Sequence, residues 1–341
     1  MLSIGSFAYI LANYDTILAT NALNCMILLA QSEPTSAGLD LFMNNGDSLE
    51  QQALASAKQY MGGVAWPTVC YALVVFFSYG LVLASALAGA LSLWIATPMV
   101  ITLTYLSYTV LHEAVHGTIT GGQQSLRWIN EALGYIAGWI LMTPLTAHRH
   151  EHLAHHRNTN DKHEDPDYHI SQIGNSPIES FRSALQIVHI QLSHYLQHRW
   201  NKAPARQNLY LCVEVVVTVV PRIALLAAGF WLEGAMLLGV GWLLGVVIVL
   251  YLFAYLVHRP HVDQGRYVDT STILAPARLQ PLLNWVWVFQ NYHSIHHLFP
   301  RVPFYQYQRL FREIEEVMVA KGAPIYRLGT KGLIPAALQA V

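Results

Sequence analysis

Three groups of histidine could carry chemistry in this sequence. His112-Glu-Ala-Val-His116 has the spacing HxxxH. His148-Arg-His150-Glu-His152-Leu-Ala-His155-His156 ends in HxxHH, and His293-Ser-Ile-His296-His297 repeats that spacing. Residues three and four apart share one face of a helix, so each group can turn two or three imidazoles toward a common point. Neutral imidazole binds zinc, copper, nickel and iron. Eight histidines exceed what one tetrahedral ion needs, and they suit two metals with about four protein ligands each. All 17 histidines fall between His112 and His297, and a fourth candidate is His258 in His258-Arg-Pro-His261. His189, His194 and His198, at spacings of five and four, read as surface or interfacial side chains. A ligating imidazole usually donates its second ring N–H to a carboxylate or carbonyl. Asp161, Asp165 and Asp167, just after the second group, and Glu113 inside the first are the expected acceptors.

The elements that must position these groups are membrane helices. The chain has 341 residues, 54% of them hydrophobic and 11% charged, far below the roughly 25% charged of a soluble domain. No charged residue occurs from Gln59 to Leu111, which leaves room for two spans of the roughly 20 residues a bilayer requires. The expected spans are about residues 64–86, 89–111, 209–232 and 235–257. The third contains Glu214, Pro221 and Arg222, and ionisable groups there should face the bundle interior. The apolar run Leu133–Ala147 is too short to cross, so it is expected to lie at the interface or re-enter. Lys58 precedes the first span, eight Lys and Arg lie between the second and third, and nine follow Val257. The positive-inside rule then places both termini, the middle segment and every histidine group on the cytoplasmic side. The fold class is an all-α, multi-pass integral membrane protein: four transmembrane helices with a cytoplasmic helical cap carrying a histidine-box dimetal site. His258 emerges at the depth of His112. Pro260 disfavours helix at Arg259, so the fourth span should end with His258 on its last turn and send His261 into the following loop.

The domain division expected is an N-terminal segment, residues 1–60, interfacial or poorly ordered, followed by a membrane domain over residues 61–341. Met1–Ala30 is apolar but lacks a basic leader and is interrupted by Asp15, which makes a poor signal peptide. Residues 1–42 read as a surface-lying segment or as an extension upstream of a start at Met43. A formal net charge of −1 offers no basic face for nucleic acid. Cys25, Cys70 and Cys212 show no CxxC spacing and are expected as buried core thiols.

HEAVHG at His112–Gly117, HLAHHRNTN with DPD within His152–Asp167, and QNYHSIHHLFPRVPFYQY at Gln290–Tyr307 resemble the membrane fatty acid desaturase and hydroxylase superfamily. The resemblance runs over about residues 61–322. It implies a non-haem diiron centre that activates O2 with two external electrons. Its ligands would be His112, His116, His152, His155, His156, His293, His296 and His297, with His258 from the last span. It implies a long-chain, lipid-like substrate, and desaturation of a fatty acyl chain as the leading reaction. Glu113 makes the first box HExxH, as in membrane alkane hydroxylases, and His258–His261 resembles carotenoid ring hydroxylases. Hydroxylation, or oxidative decarboxylation to a terminal alkene, are therefore the alternatives. The chain has no haem-binding segment, dinucleotide fingerprint or iron–sulfur cysteine set. Electrons would come from a ferredoxin or cytochrome b5 type protein, docked on the cytoplasmic face of what is expected to be a bacterial inner membrane.

Three readings from other classes compete, the plainest being a structural membrane protein with incidental histidines. HExxH could serve an intramembrane zinc protease with Glu113 as general base, but this leaves two boxes unused. A metal transporter would place its ligands within the spans, whereas these boxes lie at or beyond span ends.

Overall fold

The structure is a computed structural model that describes residues 48–330 and 332–336. The readings for residues 1–47, Cys25 among them, fall outside the described residues. Four helices among the described residues are long and apolar enough to cross a membrane: Trp66–Leu87 (α2), Leu93–His116 (α3), Ala205–Ala227 (α7) and Trp231–His258 (α8). α2 starts with a proline in its first turn, where a missing N–H costs nothing. Ser92 caps α3, its hydroxyl accepting from Trp94 N. α3 stops because Gly117 takes a left-handed conformation, φ 69°, which a residue without Cβ adopts freely. α3 has 24 residues and α8 has 28. At 1.5 Å per residue these are about 36 and 42 Å long, against a hydrocarbon thickness of about 30 Å. The excess length is enough for their C-terminal ends to reach past the apolar layer, and His116 and His258 lie on the last turns with His112 one turn earlier in α3.

α8 packs on α3 through two glycines. A Cβ at Gly241 would lie 2.7 Å from Val100 Cγ1, and one at Gly245 would lie 2.7 Å from Thr104 Cβ. Small residues at such crossings let helix backbones approach closely. Within α8, wide π turns at Gly234–Gly241 and Leu250–Tyr255 shift the register ahead of His258, a common device near functional sites. Glu214 and Arg222 of α7 face inward. Arg222 donates to the Trp139 and Thr218 carbonyls at 2.7 and 2.6 Å, with its guanidinium over the Trp139 ring. Glu214 accepts from the Thr146 hydroxyl and from the Thr146 amide. The outer faces of α2 and α7 expose Val74, Phe77, Val216 and Ile223, side chains that lipid tails cover. Cys70 and Cys212 are exposed on these same helices, which corrects the expectation of buried thiols.

Between the two hairpins lie Arg127–Leu141 (α4), Leu145–Asn158 (α5) and Pro177–His198 (α6). The apolar run at Leu133–Ala147 is divided: Met142 adopts φ 55° and Pro144 precedes α5. α4 and α5 are therefore separate helices, and the second box rides on α5. After α8 come Gln280–Val286 (α9), His293–Leu298 (α10) and Tyr307–Ala320 (α11). A small sheet absent from the all-α expectation joins them. Thr272–Leu274 (β1) pairs parallel with Ile325–Gly329 (β2), which pairs antiparallel with Gly332–Pro335 (β3). Residues 48–58 form a helix (α1). Its Ala53 and Ala57 are fully buried in the cluster that includes Ile295, Leu310, Phe311 and Ile314.

Candidate metal centre

The helix ends bring the histidines to one buried region as two adjacent sets. Ring nitrogens of His112, His116, His152, His156 and His296 all lie within 4.8 Å of one another, and those of His155, His258 and His297 do the same. α5 and α10 each feed both sets, because consecutive residues on a helix point in directions about 100° apart.

The nitrogens meet as ligands of a common ion would. His156 Nε2 lies 3.1 Å from His152 Nε2 and 2.9 Å from His296 Nε2. His258 Nε2 lies 3.0 Å from His155 Nε2 and 3.3 Å from His297 Nε2. Nitrogens held about 2.1 Å from one metal stand roughly 2.9–3.4 Å apart for octahedral to tetrahedral angles. Protons cannot satisfy this pattern as well, since one N–H on His156 can serve only one of its two neighbours. His116 Nε2 is buried with no partner at all, which would be costly unless a ligand meets it. The donor set, neutral nitrogens only, suits a transition metal such as iron or zinc and is too soft for magnesium or calcium.

Hydrogen bonds on the outer nitrogens aim the inner ones. His155 Nδ1–H donates to Asp165 at 2.9 Å, His258 Nδ1–H to the Ala254 carbonyl at 2.6 Å, and His296 Nδ1–H to the Tyr307 hydroxyl at 3.1 Å. Each leaves an Nε2 lone pair facing its set. Burial and the neighbouring imidazoles push His152, His156, His296 and His297 well below the ordinary histidine range, so they stay neutral. Burial acts the same way on His155, but Asp165 and Asp167 outweigh it and raise this residue to about 9. The field that would hold a proton on His155 also makes it a stronger donor to a cation.

Other candidates lie outside the two sets. His293 is buried with its ring 4.8 Å from those of His258 and His297, and its Nδ1–H donates to Gln290 at 3.2 Å. It flanks the three-nitrogen set without belonging to either. His261 lies past the helix end, its ring 6.5 Å from that of His258. Asp161 departs from the expectation: its carboxylate accepts from the His163 and Glu164 amides of its own turn. Asp167 stands 4.0 Å from His155. Sequence reasoning missed Tyr307 and Gln290, although both lie inside the third motif, and also Asp269, 4.0 Å from His297.

Glu113 also departs from its expected role. It accepts from Thr68 Oγ1 at 2.7 Å and from Phe304 N at 2.6 Å, tying α3 to α2 and to the chain after α10. Each oxygen accepts from Thr68 or Phe304, so the carboxylate is held as a tie between segments and not as the free base a protease needs. Glu113→Gln can keep both bonds by rotating its amide, because the Thr68 hydroxyl can also accept. It is expected to retain metal and turnover within severalfold. Glu113→Ala strands the Phe304 N–H and should cost about 1–3 kcal/mol of stability. Thermal unfolding and metal content of the two variants check this, and loss of all turnover in Glu113→Gln would contradict it.

A cavity opens beside the centre. Tyr108, Val246, Val249, Leu250 and Phe253 make it apolar, and His148, Asp167 and Gln191 form a polar end. A smaller cavity lined by His155 and His258 shares Asp167, Ile170 and Ala254 with it. His148 Nδ1–H donates to Glu151 at 3.0 Å. Burial raises Glu151 to about 7, and burial with the nearby Glu151 charge raises Asp167 well above the usual carboxylate range.

Four candidate spans and two adjacent imidazole sets, fed by two span ends and two cap helices, define a histidine-box membrane protein. The chain matches the fatty acid desaturase family over residues 88–329, a stretch that holds all three boxes and the last three of the four spans. It belongs to that family, a class of diiron enzymes within the membrane desaturase and hydroxylase superfamily. No curated protein matches the chain.

Proposed function

We propose that this protein is an O2-dependent non-haem diiron oxidase that removes hydrogen from unactivated C–H bonds of a fatty acyl chain to give an alkene. The observation that carries the reading is the adjacency of two nitrogen sets, with His155 and His258 of the second lining a small cavity that shares Asp167, Ile170 and Ala254 with an apolar one. His112, His116, His152, His156 and His296 would hold one iron. His155, His258 and His297, with His293 beside them, would hold the other. Iron bound there supplies O2 activation with electrons from an outside carrier, which we place among ferredoxin or cytochrome b5 type proteins. Asp165, Gln290 and Tyr307 orient the ligands. The cavity walls on α3 and α8 seat the chain and exclude water, and His148 and Gln191 mark the polar end. We further propose that the boxes face the cytoplasm and that the desaturase-like unit begins by residue 48, since α1 is part of the cap core.

The test is mass spectrometry of lipids from a host expressing the protein, beside a His296→Ala control. Loss of two hydrogens supports desaturation. Gain of one oxygen, or loss of CO2, would replace it with hydroxylation or oxidative decarboxylation on the same centre. Identical profiles in the two hosts would sink the oxidase reading. Val246→Trp tests the cavity by filling it from α8. Products are expected to shift to shorter chains, with each excluded methylene costing about 0.8 kcal/mol, or roughly fourfold in preference. An unchanged chain-length profile would place the acyl chain elsewhere.

A further inference from the structure

α5 has two working faces. At about 100° per residue, His152, His155 and His156 share one side, while His150, Leu153 and Arg157 fall within roughly 60° of one another on the opposite side. The C-terminus of α6 lies against that back face. The His194 ring is 5.3 Å from His150 and 4.5 Å from His198. Arg199 follows α6 directly, and Lys202 ends the next short turn. Arg157, His198 and Lys202 are exposed, and His150, His194 and Arg199 are half-buried.

Three clustered histidines suggest a further metal site, and His194 and His198 have ligand spacing. Their surroundings argue otherwise. Burial, then His198, His150 and Arg157, push His194 down to about 4. The charges acting most on His150 are Arg199, Arg157, His198 and Lys202. A metal cation here would meet like charge from Arg157, Arg199 and Lys202, whereas the same field draws an anionic partner.

We infer that the back of α5, together with the end of α6 and the turn after it, is the docking surface for a small acidic one-electron carrier protein. This deepens the oxidase reading and rests on it. Desaturation takes two hydrogens from the chain and reduces O2 to two waters, which needs two further electrons and two protons. Hydroxylation needs the same two electrons, with one oxygen entering the substrate and one leaving as water. Two reduced carriers must therefore each give up one electron in turn at a surface close to the boxes. Only the thickness of α5, roughly 10 Å, separates this patch from the imidazoles of the second box. Leu153, 37% exposed, sits among the cations, giving an apolar centre with a charged rim as in protein interfaces. A lipid headgroup would use the charges but not the leucine or the position.

The test is the affinity of a dye-labelled plant-type [2Fe–2S] ferredoxin for the full chain in nanodiscs, read by fluorescence anisotropy at low ionic strength. Reversing two charges together, Arg157→Glu with Lys202→Glu, is expected to raise Kd about tenfold and to remove most of its salt dependence. Arg309→Glu, on α11 over Tyr60, is expected to leave Kd unchanged. An undetectable wild-type complex, or an unaltered Kd in the double variant, overturns the proposal. So does an effect seen in phosphatidylglycerol nanodiscs and lost in phosphatidylcholine ones, which would assign the patch to lipid headgroups. The oxidase reading fails separately: dithionite-reduced methyl viologen needs no docking, so a metal-loaded wild type that does not turn over with it refutes that reading whatever the Kd.

Discussion

His156→Ala is expected to empty the five-nitrogen set and reduce turnover to background, while the protein still inserts and folds. His156 is the hinge of that set, its Nε2 meeting both His152 and His296. Disturbing a group that merely orients a ligand costs about 10–100-fold in metal affinity, so removing this ligand should cost more than that. The fold should survive because the spans and the α1–α11 core supply its packing, and His156 belongs to neither. Metal content by mass spectrometry, with membrane extraction and circular dichroism as folding controls, checks the result. A folded His156→Ala protein with full iron would refute the ligand assignment.

Asp165→Ala should act on one set and spare the other. Its Oδ1 accepts from His155 and from the Asp167 amide, and its Oδ2 accepts from the Asn160 amide. Asn160 in turn donates to the Asp263 and Asp269 carbonyls, both at 2.7 Å, so one carboxylate aims His155 and pins the loop beside His297. Its removal should weaken the three-nitrogen set by about 10–100-fold. At limiting iron, content should fall from about two to about one per chain, because no contact of Asp165 reaches the other set. Equal loss from both sets, or no loss, would contradict this division.

Much of this was legible in the sequence because membrane burial leaves a coarse signal. Uncharged runs of span length mark α2, α3 and α8, and topology requires α7 despite Glu214 and Arg222. Histidine spacing marks the donors, because three- and four-residue steps define a helix face before any helix is seen. What stayed hidden depends on packing between distant segments. Nothing local distinguishes Asp165, which faces His155, from Asp161, which caps its own turn. Likewise nothing local says that Glu113 points at Phe304 rather than at the histidines beside it. The cysteine expectation failed for a different reason. Apolar surroundings imply burial in a soluble protein, but on the rim of a membrane bundle they imply lipid. The short strands went unseen because β1 and β3 are only three and four residues long and are held by pairing with β2, more than 50 positions from β1.

The third span holds no imidazole, yet it grips the cap that carries the second box. Glu214 clasps the first turn of α5 through Thr146, and Arg222 clasps the end of α4 at Trp139. α7 is also the span least buried by the rest of the protein, 11% against 33–50% for the other three. Its 23 residues extend about 34 Å, against a hydrocarbon layer near 30 Å. Such mismatch is relieved by tilt, and α7 has few protein neighbours to resist it. Any tilt pulls at the level of Glu214 on the helix that presents His152, His155 and His156. Bilayer thickness, and hence the lipid composition that this family modifies, thereby has a mechanical route to the geometry of the centre.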